Sequence, residues 1–510
     1  HRPVAAAAAP ARPLSTELES GAWVPATEVT TLDTGLRVVS ETIPAATVAL
    51  GVWIDTGSRY ETPSNSGVAH FLEHLAFKGT KKRSKAGLEE EVENQGAHIN
   101  AYTSRESTVY WIKTTADKTE WALDVLSDLL LNSRLESDAI ERERGVILRE
   151  MEHVNKNMEE YTMDELHDVA FEGQGLGLTI LGPIANIKGI QRRDIHTYIK
   201  THYTPDRIIV VGAGAVEHDE LENLAAKYFA PWAVEDAPPA FNTLESAPDA
   251  GGETSADFRP AFFTPGERRQ NLDKQDLCHV AFAFEGAGWR SPYALPLQLM
   301  QNMMGSQFDR LAPVDHSAPF FQEVGLRGLM HSCNATNIAY KDTGIFGMYL
   351  KTDPNELTRD AAPEPVLPAL MEALIRHFTR FAYDVSEEEL YRAKVNLKSV
   401  QLATTDSFER IAEELGRQLL AYDRRMTAAE ACERIDSITV EDIKATARAI
   451  CLDVDHVMVA AGSVDGMPTY EWIKDLNRAE LLDPKTGYDW RLPWGGMPRP
   501  DVEVQKLSQG

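Results

Sequence analysis

The stretch VALGVWIDTGSR, Val48 to Arg59, is an alternating apolar run that ends in a glycine turn, and it returns as VAFAFEGAGWR, Val280 to Arg290. Period-two alternation with β-branched and aromatic residues reads as a strand that buries one face. Two further segments repeat in the same order. RIIVVGAGAV (Arg207 to Val216) returns as HVMVAAGSV (His456 to Val464), a buried strand ending in glycine. HINAYTSRESTVYWIKT (His98 to Thr114) returns as HSCNATNIAYKDTGIFGMYLKT (His331 to Thr352). Three matches in one order predict a duplicated α+β domain, since convergent strand patterns mimic one match more easily than three.

Amphipathic helical stretches lie between these strands. WALDVLSDLLLNS (Trp121 to Ser133) is one, and a Glu-rich stretch from about Glu136 to Val169, interrupted at Gly145, is another. Residues 364–382 and 386–422 read the same way in the second half. Strands followed by helices predict two similar domains, each a largely antiparallel sheet with helices packed on one face. The first is expected over residues 29–233 and the second over 270–510. Between them, residues 234–269 are dominated by Pro, Gly, Ala and acids with no apolar period, which reads as a linker. The chain starts at His1, and residues 1 to 16 are rich in Ala, Arg and Pro without an acid. Residues 1–28 are therefore expected to be a disordered or transit-derived N-terminus.

Composition sets limits on function. The chain has 510 residues, 43% hydrophobic and 25% charged, within the globular range and enough for several cores. No apolar run reaches the ~18–20 residues of a membrane span, so no span of its own is expected. Seventy-eight acids against 51 bases give a net charge of −27. That balance argues against nucleic acid and suits a basic peptide. Four scattered cysteines with no C-x-x-C pair argue against a disulfide framework and a cysteine zinc site. Gly212 and Gly214 after a Val-rich strand lack the third glycine of a dinucleotide fingerprint.

The chemistry concentrates in NSGVAHFLEHLAFKGT, Asn65 to Thr80. It reads as a helix with Asn65 or Ser66 as cap and Gly79 beyond its end. His70 and His74 then lie one turn apart on one face, where two imidazoles can bind one zinc ion. Glu73 is placed to reach an attacking water instead of the metal, as the catalytic base. This H-x-x-E-H order inverts the H-E-x-x-H zinc motif. A catalytic zinc needs a third protein ligand and an open fourth position. AIERERGVILREMEHV (Ala139 to Val154) offers Glu143 and Glu150, seven apart and so on one helix face. Glu150 is chosen as the third ligand, and Glu143 as a catalytic residue that orients a ligand or substrate from behind.

HFLEHLAFKGTKKRS, GAHINAYTSRESTVYW and AIERERGVILREMEHV together resemble the pitrilysin-type inverzincins, and among them the mitochondrial processing-peptidase branch. The resemblance spans nearly the whole chain, because LMHSCNATNIAYKDTGIFGMYL resembles the second half of the same proteins. It implies a zinc metalloendopeptidase of the mitochondrial matrix that removes targeting presequences. It places zinc on His70, His74 and Glu150 and the base on Glu73, in agreement with the spacing. It further implies that the substrate adds a strand at Asn100, Ala101 and Tyr102, and that Phe77 lines an apolar pocket beside the cut. Glu160 and Asp164, spaced i, i+4, would together read the arginine near the cleavage point of a basic presequence. The second half lacks the zinc motif and reads YALPLQLMQNMMGS where a metal helix would fall. Where single-chain bacterial relatives carry an Arg and a Tyr, Val324 and His331 stand here, which favours the mitochondrial branch. Two domains make half a chamber, so the resemblance implies a heterodimer with an α-type subunit. Members of the family also serve as core subunits of respiratory complex III, so the other subunits of that complex are the alternative partners.

Overall fold

The computed structural model describes residues 15–17, 23–230, 258–272, 275–305, 307–310 and 318–478. Strands β1 (Ser15–Glu17) and β2 (Trp23–Pro25) form a small ribbon. Six strands then build the first sheet: β3 (Thr27–Thr31), β4 (Arg37–Thr42), β5 (Thr47–Ile54), β6 (His98–Thr103), β7 (Thr108–Thr115) and β8 (Ile208–Gly214). The second sheet uses β9 (Gly266–Asn271), β10 (Cys278–Glu285), β11 (Gln307–Asp309), β12 (Ser332–Ala339), β13 (Gly344–Thr352) and β14 (Val457–Gly462). The orders are β3-β4-β8-β5-β7-β6 and β11-β12-β13-β10-β14-β9. In each sheet a central strand, β5 or β10, runs antiparallel to both neighbours, and one parallel pair, β4–β8 or β14–β9, completes the repeat. All three repeated segments fall on equivalent strands.

The repeat extends to backbone detail. β8 and β14 end at Gly214 and Gly462, with φ of +107° and +101°. A Cβ there would lie 2.6 Å from the Thr47 carbonyl oxygen, or 2.2 Å from that of Leu277. Each carbonyl belongs to the start of the paired central strand or the residue before it, so both halves need glycine for the same reason.

Each half covers one face of its sheet with its own helices, as the α+β reading expects. The opposite face takes a helix from the other half. Helix Phe408–Tyr422, from the second half, packs Ile411, Ala412, Leu415 and Leu419 on Val39, Trp53, Val109 and Val211 of the first sheet. Helix Met158–Ala170, from the first half, packs Leu166 and Ala170 on Ala281, Ala283, Ile345 and Val459 of the second.

Four expectations need correction. The helix expected to break at Gly145 runs unbroken as Ser137–Val154. An interior glycine costs only about 1 kcal/mol, and buried Ile140, Ile147 and Met151 offset that by packing. The break falls at residues 155–157, where the Asn157 side chain caps the next helix. Residues 386–422 are two helices, Glu387–Ala403 and Phe408–Tyr422, parted by a short turn and capped afresh by Ser407. The stretch read as a linker ends in strand β9, and only its residues 234–257 lie outside the described residues. Within residues 1–28, β1, β2 and the start of β3 are ordered strands, while 1–14 and 18–22 lie outside the described residues. No described helix is long and apolar enough to cross a membrane, and the four cysteines are free.

Leu415 and Leu166 are fully buried in the exchanged contacts. Leu415→Ala and Leu166→Ala should each lower stability by about 2–5 kcal/mol. Both should shift one shared urea transition, because each helix belongs to both halves. Two separately resolved transitions in the wild-type chain would contradict this.

Candidate metal centre

Helix Val68–Ala76 buries Val68, Phe71, Leu72 and Leu75 in the core of the first half. Its start differs from the sequence expectation. Gly67, not Asn65 or Ser66, is the N-cap residue, with left-handed φ of +96° and no side-chain cap. The Asn65 side-chain Oδ1 instead accepts from the Thr62 amide within the preceding turn. The exposed helix amides are satisfied from farther back: the buried Glu61 carboxylate accepts from Gly67 N at 2.8 Å and Ala69 N at 2.7 Å. An acid at a helix N-terminus also complements the helix dipole. Glu61 lies outside the usual capping pattern, so local sequence gave no sign of it. The helix ends at Ala76, and Gly79 follows with φ of +125°.

Helix Ser137–Val154 packs beside this helix and faces it with Glu143 and Glu150. The rings of His70 and His74 lie 4.6 Å apart. His74 Nε2 is 3.3 Å from Glu150 Oε2, and His70 Nε2 is 3.8 Å from Glu150 Oε1. Candidate ligand atoms of the three residues all lie within 4.8 Å of one another, and no other such group occurs among the described residues. Two imidazole nitrogens and one carboxylate oxygen are the protein donor set of a catalytic zinc, so the residues fit the ion. Glu143 stands behind: its Oε2 lies 3.4 Å from His74 Nδ1 and 3.0 Å from Lys78 Nζ.

Electrostatics follow from burial. Burial, then the neighbouring His74, pushes the His70 imidazole down to about 4, against the pull of Glu150. It is therefore neutral at pH 7, as a ligand must be. Burial also opposes charge on His74, but hydrogen bonding and charge from Glu150, with Glu143, raise it above its ordinary value. The hydrogen bond from His74 holds the Glu150 carboxyl low. Burial raises Glu73 above the usual carboxylate range, toward what a general base needs. The Thr103 hydroxyl donates to Glu73 Oε2 at 2.6 Å. Sequence reading missed Thr103; the only available sign was its place at the end of the edge strand.

The structure places the remaining predicted residues around this centre. β6 is the last strand of its sheet, so among the described residues Asn100, Ala101 and Tyr102 lie on an edge with no strand beside it, where the Ala101 amide donates to Asn100 Oδ1 at 2.9 Å. Ala101 packs toward the core beneath the metal helix. Tyr102 turns to the other face, and its hydroxyl donates to Glu413 of the exchanged helix at 2.6 Å. Phe77 is half-buried against the core, 6.3 Å from the Tyr110 ring. Glu160 and Asp164 are not a vacant pair. Glu160 is exposed and accepts from Asn157 Nδ2 at 2.8 Å. Asp164 already holds a guanidinium, since Arg105 Nη2 donates to it at 2.7 Å and Thr179 at 3.2 Å. The largely buried Arg105 requires that partner. Gly212 and Gly214 lie inside β8, not in a phosphate-binding loop.

Residues 37–184 match the family Insulinase (Peptidase family M16), and residues 189–397 match the Peptidase M16 inactive domain. The mitochondrial-processing peptidase subunit beta of Lentinula edodes is 42% identical over 454 residues, 88% of this chain and 93% of that protein. The subunit of the same name from Bos taurus is 40% identical over 452 residues, 88% of this chain and 87% of its own. Two solved structures share the fold at low identity. A chain of complex III2 from Candida albicans aligns with TM-score 0.72 and 20% identity over 88% of this chain and 99% of its own. A protease from Helicobacter pylori aligns with TM-score 0.72 and 21% identity over 86% of this chain and 100% of its own. With two M16 domains in tandem and relatives matched along nearly their whole length, this chain belongs to peptidase family M16, the metallopeptidase family of the mitochondrial-processing peptidase β subunits.

Proposed function

We propose that this chain is the catalytic subunit of a zinc metalloendopeptidase that removes N-terminal presequences from proteins imported into mitochondria. The observation that carries this is the meeting of His70, His74 and Glu150 with Glu73 at the end of an edge strand that has no strand partner on its outer side among the described residues. The three ligands would hold zinc, which when bound acts as a Lewis acid toward the scissile carbonyl and acidifies water. Glu73 accepts the proton of the attacking water and returns it to the leaving amine. The edge of β6 pairs with the extended peptide through main-chain groups at Asn100 to Tyr102, which tolerates the varied sequences of presequences. Phe77 offers an apolar surface next to the cut. Glu143 steadies His74 from behind. The net charge of −27 draws a basic peptide toward the chain. Since Arg105 occupies Asp164, the exposed Glu160 is the acid left to read a substrate arginine. The chain works in the mitochondrial matrix, or on the matrix side of the inner membrane, as a heterodimer with an α-type subunit. A core role in complex III is the second reading, favoured by the fold shared with the Candida albicans chain; the complete set of four site residues places catalysis first.

Metal analysis should give about one zinc per chain, as a three-ligand site requires. His70→Ala should empty it, whereas Glu73→Gln should keep the zinc and cost roughly 10²–10⁴-fold in kcat. A wild-type chain that takes up no zinc on reconstitution would leave only the core-subunit role.

Alone, the chain should cleave presequence peptides poorly, and adding the α-type subunit should restore turnover. Full activity from the monomer would overturn the heterodimer.

Glu160→Gln should slow cleavage of an arginine-bearing presequence by about tenfold or more, the worth of one charge-assisted hydrogen bond. The same peptide with alanine at that position should be cleaved equally by both enzymes. Equal slowing of both peptides would assign Glu160 a structural role.

A further inference from the structure

Glu73 lies on the metal helix, but what fixes its carboxylate lies on the sheet. Thr103 is the last residue of β6. Its hydroxyl donates to Glu73 Oε2 at 2.6 Å. We propose that Thr103 is a positioning residue for Glu73, one that ties the orientation of the base to the strand on which the substrate docks. The inference rests on the reading of Glu73 as the base.

A glutamate has three side-chain torsions, and beside a cation its carboxylate has a competing option, direct bonding to the metal. A donor held on Oε2 fixes the plane of the group and leaves Oε1 for the water proton. The origin of the donor matters as much as its presence. Thr103 pairs with Thr108 in the same ladder that sets Asn100 opposite Trp111 and Tyr102 opposite Val109. A peptide paired to β6 and a base bonded to β6 therefore share one frame, and the register of the peptide fixes its scissile bond relative to Glu73.

The end of that strand is firmly held. The Ser104 amide donates to the Ser107 carbonyl at 2.8 Å and closes the turn. Arg105 is tied to Asp164 at 2.7 Å, and Glu106 to Arg59 at 2.7 Å. Both partners lie outside the hairpin, so the hydroxyl of Thr103 is presented from a fixed support. Positioning of this kind acts on turnover more than on binding.

The test uses the reconstituted heterodimer and a presequence peptide, with Thr103→Val, Thr103→Ser and Glu73→Gln side by side. Valine keeps the branched shape and the backbone amide and removes only the hydroxyl. Thr103→Val should lower kcat by roughly ten- to a hundredfold, with KM within about twofold and zinc content unchanged. Thr103→Ser should restore turnover to within about threefold of wild type, because the hydroxyl returns. A crystal structure of Thr103→Val should show the Glu73 carboxylate turned from its place. The proposal is overturned if Thr103→Val keeps wild-type kcat, if Thr103→Ser falls as far as Thr103→Val, or if Thr103→Val loses zinc; each gives Thr103 a packing role. Should Glu73→Gln itself keep full activity, the base assignment fails. An inactive Glu73→Gln beside a fully active Thr103→Val defeats the positioning role alone.

Discussion

A β-sheet with two apolar faces must have both covered, and in this chain each half covers only one. Val39, Ala49, Trp53 and Val211 would face water but for helix Phe408–Tyr422, and Ala281, Ala283 and Val459 but for helix Met158–Ala170. The two halves therefore exchange helices, each completing the other's sandwich. The hydrophobic effect, at about 25 cal/mol per Å² of apolar surface removed from water, makes this contact obligatory. Trp53 shows how closely it is fitted: a Cβ on Gly416 of the incoming helix would lie 2.3 Å from its indole. The two halves are thus one folding unit despite their separate sheets.

The metal centre inherits its geometry from this frame. The metal helix is wedged between the first sheet and helix Ser137–Val154, and Glu61 holds its N-terminus from the preceding segment. Helix Met158–Ala170 follows the ligand helix after a three-residue break and is anchored on the second sheet. Glu150, the proposed third ligand, is thereby tied to the far half of the molecule. Asp164 extends the tie, since its partner Arg105 sits in the hairpin that ends at Thr103. The proposed base, third ligand and docking edge are all referred to one exchanged helix.

What was legible in the sequence is what short-range pattern encodes. Strand alternation marked both sheets, and the one-turn spacing of His70 and His74 put two candidate ligands on one face. Glu150 was legible because its seven-residue distance from Glu143 is a whole number of turns. The illegible parts depend on distant partners. An amphipathic helix announces that it will be covered but not which sheet covers it, so the exchange left no trace in residues 386–422. Glu61 caps from six and eight residues away, beyond the range of capping patterns. Glu160 and Asp164 share a helix face, yet only the fold shows that Arg105 reaches Asp164 first. Thr103 looked like an ordinary strand residue until Glu73 stood beside it.

Beside the apolar exchange, the halves also meet at a polar cluster. The tips of the equivalent hairpins, residues 104–107 and 340–343, come together at one buried guanidinium. Arg59 bonds Glu106 at 2.7 Å in the first tip and Asp342 at 2.7 and 2.8 Å in the second. Lys341 crosses the other way, to Asp55 and to the Tyr60 hydroxyl at 2.8 Å. Burial would raise the Asp55 carboxyl, but Lys341 and then Arg207 hold it below the usual range, so the pair stays charged. The repeat is broken at its second copy: Arg290, equivalent to Arg59, is exposed and bonds only the Ala421 carbonyl. Buried ion pairs add little net stability, but breaking one leaves an uncompensated charge worth about 3–5 kcal/mol. Such a cluster penalises every arrangement of the two halves except the one that pairs all its charges. Apolar exchange drives the halves together, and the Arg59 cluster adds a charge pairing that only one mutual rotation satisfies; Glu150 is set opposite His70 and His74 by the first half's own core, where Ile140, Ile147 and Met151 share one cluster with Phe71 and Leu75.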